Sequence, residues 1–143
     1  MIKNNFKSYN EEDFRSVFKI VISNNIKNKS DFFLAIKENF LLDPPINSLN
    51  WDALSDSFYE SINNLEEKKI LIIFENLIDF FYLKKYDFIV SLNILNDLSE
   101  EIFSPPKKLK IYIVFDGNGN TKQLLSNDLE HLQIVWGPDP LRL

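Results

Sequence analysis

The chain has 143 residues, 45% of them hydrophobic and 26% charged, with 21 acidic against 16 basic residues and a net charge of −5. That balance describes one folded domain with a sizeable core. It excludes the basic surface that direct binding of nucleic acid or of an anionic membrane requires. The absence of cysteine excludes a disulfide framework, a thiolate nucleophile and a Cys-based metal site.

The opening stretch, MIKNNFKSYNEEDF, lacks the apolar segment of a signal peptide. The longest apolar run, ILIIF at 70–74, is far short of a membrane span. The expected compartment is therefore the cytoplasm. Spacing allows a short helix around Glu11–Ser16. Phe18–Ile22 (FKIVI) is a β-branched run bounded by SNN and predicts a strand. Ser30 reads as the N-cap of a helix that carries Phe32, Phe33, Ile36, Phe40 and Leu41 at helical spacing and runs to about Leu42. Asp43-Pro44-Pro45 stops it, since proline lacks a donor and restricts its predecessor.

A second helix is predicted from near Asn50 to about Asn63, with Trp51, Leu54, Phe58, Ile62 and Leu65 on one stripe. Lys69–Phe74 (KILIIF) is nearly all apolar, as in a strand buried on both faces of a parallel sheet. Asn76–Tyr86 and Asp87–Phe103 read as helices meeting near Tyr86-Asp87, and Ser104-Pro105-Pro106 ends the second. Leu109–Phe115 is another strand. Asp116-Gly117-Asn118-Gly119-Asn120 is a turn signal, and Leu132–Trp136 is a candidate further strand. The order strand, two helices, strand, two helices, strand predicts an α/β domain on a small parallel sheet of about three core strands.

The charge is concentrated in one place. Between Asn50 and Glu67 stand Asp52, Asp56, Glu60, Glu66 and Glu67 with no basic residue, which accounts for the whole acidic excess of five. Asp52, Asp56 and Glu60 lie four apart on the side of the helix opposite its apolar stripe. Like charges at that spacing weaken an isolated helix by about 0.2–0.5 kcal/mol per pair. Stability does not ask for the arrangement, whereas a cationic partner would. Pattern alone leaves two readings open, a solvated outer face and a binding face.

Other sites are poorer. Asp116-x-Asn118-x-Asn120 opens like a calcium loop, but Thr121 stands where the bend needs glycine and Asn127 where the closing glutamate belongs. His131 is the only histidine, and its nearness in sequence to Ser126 and Asp128 does not make a triad. No Gly-rich phosphate loop exists. Asp52 and Asp56 could serve as an acid–base pair only in a cleft that desolvated one of them, and a surface helix offers none. No catalytic residue, cofactor or metal is expected.

Asn50-Trp51-Asp52-Ala53-Leu54-Ser55-Asp56-Ser57-Phe58, preceded by a Pro-containing loop and followed by the buried strand Ile70–Phe74, resembles the N-(W/L)-D-A-L-x-D hallmark of the barstar family. Members of that family are intracellular inhibitors of small secreted ribonucleases. The element order from Phe18 to Asp116 is similar as well, roughly two-thirds of the chain. The resemblance implies a barstar-like core over 18–116, with 117–143 as a C-terminal extension, in a single domain that is monomeric when free. It further implies that the second helix and the loop before it plug the active-site cleft of a basic ribonuclease toxin, carboxylates standing in for RNA phosphates. Asp56 then takes the family's dominant acidic contact, Asp52 its neighbour one turn earlier and Asn50 the loop-end polar contact, with Glu60, Ser55, Ser48, Asn47 and Ile46 around them.

The departures from the pattern matter equally. Ile46, Asn47 and Ser48 replace an aromatic pair and a glycine of the family's prototype, and Ser55 replaces a tryptophan, so the target surface is expected to differ. A late-helix glutamate of the family has no matched position here, Glu100 and Glu101 lying only near it in the sequence. A non-inhibitory interaction module on the same fold, or an inhibitor of another class of toxin, are the competing expectations.

Overall fold

In the computed structural model the structure is described for residues 17–114 and 135–137. The elements are β1 (Phe18–Ile22), α1 (Lys29–Asn39), α2 (Trp51–Asn63), β2 (Lys69–Phe74), α3 (Ile78–Leu83), α4 (Lys85–Glu100), β3 (Lys108–Val114) and β4 (Val135–Gly137). All neighbouring strands pair parallel, in the order β1-β2-β3-β4. The α/β architecture therefore has three core strands, and the expected extension contributes a short fourth that pairs Val135 with Tyr112. Among the described residues no helix is long and apolar enough to cross a membrane.

Successive strand residues alternate between the faces of a sheet. On one face the register aligns Ile20 with Ile72 and Ile111, and Ile22 with Phe74 and Ile113. Ile72 and Phe74 are fully buried, in one cluster with Phe32 and Ile36 of α1, Leu54, Phe58 and Ile62 of α2, Phe80 of α3, and Phe88, Leu92 and Leu95 of α4. Burying side chains of this kind contributes about 1.5–3 kcal/mol each. Leu71, Ile73 and Tyr112 point the other way and form a separate buried cluster. The all-apolar β2 is thus buried on both faces, as its composition requires.

Three local readings need correction. The side chain that caps α1 belongs to Asn28, whose Oδ1 accepts from the Asp31 amide at 2.8 Å, and not to Ser30, which lies in the first turn. The Asp31 carboxylate reaches back to the Lys27 amide at 3.1 Å, so both sides of the helix start are satisfied. The same helix ends at Asn39, short of Leu42, and Phe40 is already extended. From there burial alternates with period two: Phe40 buried, Leu41 90% exposed, Leu42 buried. Apolar content continued past the helix, but the chain delivered it from an extended segment, and the prolines were not needed to end α1.

The third correction moves the break between the last two helices from Tyr86-Asp87 to Lys84. Its amide donates to the Phe80 carbonyl and its carbonyl accepts from the Phe88 amide, both at 2.9 Å. The last strand, Val135–Gly137, takes in Val135 and Trp136 of the expected Leu132–Trp136, and 132–134 lie outside the described residues. The expected helix around Glu11–Ser16, the turn at 116–120, and Thr121, Ser126, Asn127, Asp128 and His131 lie outside the described residues.

Candidate acidic interface on helix α2

Helix α2 starts because Asn50 caps it, its Oδ1 accepting from the Ala53 amide at 3.0 Å. Asp52 follows in the first turn, where a carboxylate complements the helix dipole. The inner side is held along its whole length. Trp51 packs on Phe33 and Phe32, with ring centroids 5.1 and 6.1 Å apart, and the Lys29 ammonium stands 5.0 Å over its ring. Phe58 meets Phe40 at 4.7 Å, and Tyr59 stacks on Phe103 at 5.3 Å. Leu54, Phe58 and Ile62 have no exposed surface.

The far end is closed by a residue distant in sequence. α2 has no basic residue in its last turn. The Lys107 ammonium instead donates to the carbonyls of Ile62, Asn63 and Leu65, the first two at 3.0 and 3.1 Å. It supplies both the missing donors and the positive charge that a helix C-terminus favours.

Asp52, Asp56 and Glu60 are exposed on the opposite side. Among the described residues none forms a hydrogen bond or an ion pair with these three carboxylates. Asn50, Asn47 and Ser48 are exposed beside the helix start, and Ser55 is half-buried on its flank. Since capping occupies the Asn50 oxygen, its amide nitrogen is the atom left for an outside acceptor.

Ile46 is a correction. It is buried to 4% exposure in the main core and is an anchor of the loop rather than a contact surface. A lone aliphatic side chain in a polar loop gains about 1.5–3 kcal/mol by turning inward. With it, Ser57 Oγ donates to the Pro44 carbonyl at 2.8 Å. Loop 40–50 is thereby tied to α2 at Pro44 and to the core at Ile46.

Three neighbours of the stripe were not singled out in sequence. Tyr59 Oη donates to the Ile102 carbonyl at 3.1 Å, and the Ser104 amide donates to Asn63 Oδ1 at 3.1 Å. The segment after α4 therefore runs beside the last turns of α2. Ile102 stands 86% exposed there, and Leu49 is 47% exposed at the other end. Leu49 had a signal, since it and Leu54 occupy the two positions of a hydrophobic staple. Tyr59 and Ile102 had none, because their proximity is tertiary.

The same contact brings in Glu100 and Glu101. Both are exposed where α4 ends, and α4, like α2, has no basic residue in its last turn. Carboxylates at the negative end of a helix dipole are unfavourable. The Tyr59–Ile102 bond ties the chain just past α4 to the later turns of α2, whose C-terminal carbonyls Lys107 holds. Among the described residues no group of three or more His, Cys, Asp or Glu side chains is placed to hold a metal ion.

A profile of the family described as Barstar (barnase inhibitor) matches residues 16–116, from just before β1 to just past β3. No individual curated protein matches the chain. The match covers well over half of the sequence and spans every element that builds the acidic face. The chain belongs to the Barstar (barnase inhibitor) family.

Proposed function

We propose that the chain is an immunity protein that binds and inhibits a cognate ribonuclease toxin, with the outer face of α2 and loop 40–50 entering the enzyme's active-site cleft. One observation carries the reading. Asp52, Asp56 and Glu60 stand exposed and, among the described residues, without counter-ions, on a helix whose other side is buried. A cleft that holds RNA must present cations to phosphates, and a preordered row of carboxylates competes for them without an ordering cost. Complementary fields accelerate encounter, and charge-assisted hydrogen bonds made on docking slow release.

Asp56, central on the stripe, makes the dominant contact, with Asp52 and Glu60 on either side. Asn50 contributes its amide donor, and Asn47, Ser48 and Ser55 line the edge. Glu100 and Glu101 extend the same charge, while Leu49 and Ile102 give the patch an apolar rim in place of the missing aromatic anchors. The protein has no catalytic step of its own. It acts as a monomer in the cytoplasm of the cell that makes the toxin, in a one-to-one complex.

The test mixes the purified protein with the ribonuclease encoded beside it and follows RNA cleavage. Cleavage that stops at equimolar protein is expected. Tight binding with cleavage unchanged would instead favour a non-inhibitory interaction module.

A further inference from the structure

A cleft of about 490 Å³ opens between β1, the extended chain after α1 and the end of α2. Its walls are apolar: Phe18 and Ile20 of β1, Phe40 and Leu42 of the loop, and Leu65 just beyond α2. Clefts that hold small molecules measure about 300–1,000 Å³ and combine such walls with a few convergent polar groups. Asp52, Asp56 and Glu60 line no part of it, so the cleft and the acidic face are different surfaces.

One polar group inside it is out of keeping with the rest of the core. Among the described residues the buried polar side chains are Ser57, Ser61 and Ser91. Ser57 Oγ donates to the Pro44 carbonyl at 2.8 Å, and Ser91 Oγ to the Phe88 carbonyl at 2.6 Å. Ser61, one helical turn after Ser57, is 5% exposed and lines the cleft. Its hydroxyl has no hydrogen-bond partner among the described residues. Buried hydroxyls are nearly always bonded, because one left unmade has lost its hydration for nothing in return.

The neighbouring groups define what would complement it. Asn39 also lines the cleft, and its amide nitrogen already donates to the Ala35 carbonyl at 2.8 Å and to Asn24 Oδ1 at 3.2 Å. Only its oxygen is left, as an acceptor. Asp43, an exposed lining residue, accepts and cannot donate when ionised. Acceptors therefore dominate, and the matching head group is a donor. An ammonium beside the buried Ser61 would exchange its hydration for one hydroxyl, which is unfavourable. An anion would meet the Asp43 carboxylate. A neutral donor satisfies both constraints.

We infer that this cleft is a binding site for a small neutral molecule with an apolar ring and one hydroxyl or N–H donor, the donor bonding to Ser61 Oγ. The ring lies against Phe18, Ile20, Phe40 and Leu65 and displaces water from them. Binding there is independent of the nuclease face.

The test titrates the full isotope-labelled chain with three probes and follows its amide NMR signals. The probes are p-cresol, toluene (the same ring without the donor) and p-toluate (the same ring with an anionic head). Saturable shifts from p-cresol are expected at residues 18–20, 39–43 and 61–65, with toluene weaker by about 3-fold or more and p-toluate not binding. Ser61→Ala should lower the p-cresol affinity to that of toluene and leave toluene unchanged. No saturable shift from p-cresol, or shifts centred elsewhere, would overturn the site. Equal affinities for p-cresol and toluene, a p-cresol affinity indifferent to Ser61→Ala, or p-toluate binding as tightly as p-cresol would overturn the donor-to-Ser61 assignment, and the inference with it.

Discussion

Tyr59 on α2 and Ile102 after α4 are joined by a 3.1 Å hydrogen bond from the tyrosine hydroxyl to the isoleucine carbonyl, with the Tyr59 ring stacked on Phe103 at 5.3 Å. The bond lies where two acidic helix ends meet. It holds the segment after α4 against α2, and so bears on the surface offered beside the acidic stripe. Tyr59→Phe keeps the stacking and removes the bond. A stability loss of about 0.5–1.5 kcal/mol is expected in urea titrations, with a several-fold rise in Kd for the nuclease. A normal Kd beside the expected stability loss would place the α4 end outside the interface.

Asp56 and Glu66 belong to the same acidic run but differ in position, one mid-helix on the outer face and the other beyond the end of α2. Truncating a charge that becomes desolvated against a cation costs about 2–5 kcal/mol of binding. Asp56→Ala is therefore expected to weaken the complex by that amount, chiefly through faster dissociation. Glu66→Ala should stay within about 0.5 kcal/mol, as surface substitutions away from special features do. Calorimetric titration of both variants decides it, and equal losses would mean that the interface lies elsewhere.

Steering makes a separate, kinetic prediction. The Debye length shrinks from about 30 Å at 0.01 M salt to about 8 Å at 0.15 M. Association is expected to slow by about 10-fold or more over that range, while dissociation changes little. Stopped-flow mixing measures both rates, and an association rate indifferent to salt contradicts the electrostatic account.

Lys107 is the cation at the end of α2, and its three carbonyl acceptors include Asn63, whose side chain also holds the Ser104 amide. Lys107→Met keeps most of the apolar stem and removes every one of those donors, with the ammonium that stands 6.0 Å from the Phe103 ring centroid. Hydrogen bonds involving a charged group contribute about 1.5–3 kcal/mol, and a loss of that order is expected in the urea midpoint. Amide exchange should quicken first at residues 60–65. Uniform quickening across the sheet instead would show that Lys107 supports the fold generally and not the helix end.

Much of this architecture could be read from local pattern. FKIVI, KILIIF and LKIYIVF are short apolar blocks separated by pairs of helical segments, which leaves a parallel sheet as the economical answer. The α2 boundaries followed from the Asn50 cap and a clean 3.6-residue period. The end of α1 did not, because Phe40 and Leu42 are buried from an extended strand of loop, and apolar content alone does not distinguish that from one more helical turn. At the site, the outward carboxylates were legible because charge and the buried stripe oppose each other along one helix. The Tyr59–Ile102 and Lys107 contacts were not, since they link residues about 43 positions apart and no local signal encodes that separation.

Ile46 tests the same lesson on a residue that sequence reasoning assigned to the interface. Its side chain is buried in the core, while its neighbours Asn47 and Ser48 are exposed. Ile46→Ala removes buried methylenes and leaves a cavity under loop 40–50, a change that costs about 2–5 kcal/mol of stability. The Ser57–Pro44 bond still ties the loop to α2, so the folded variant keeps the binding geometry. Expected, then, is a much lower urea midpoint with a Kd that is nearly unchanged once corrected for the folded fraction. Asn47→Ala should behave in the opposite way, with normal stability and weaker binding. If Ile46→Ala weakens binding beyond what unfolding explains, the side chain reaches the partner after all, and the loop must open when the complex forms.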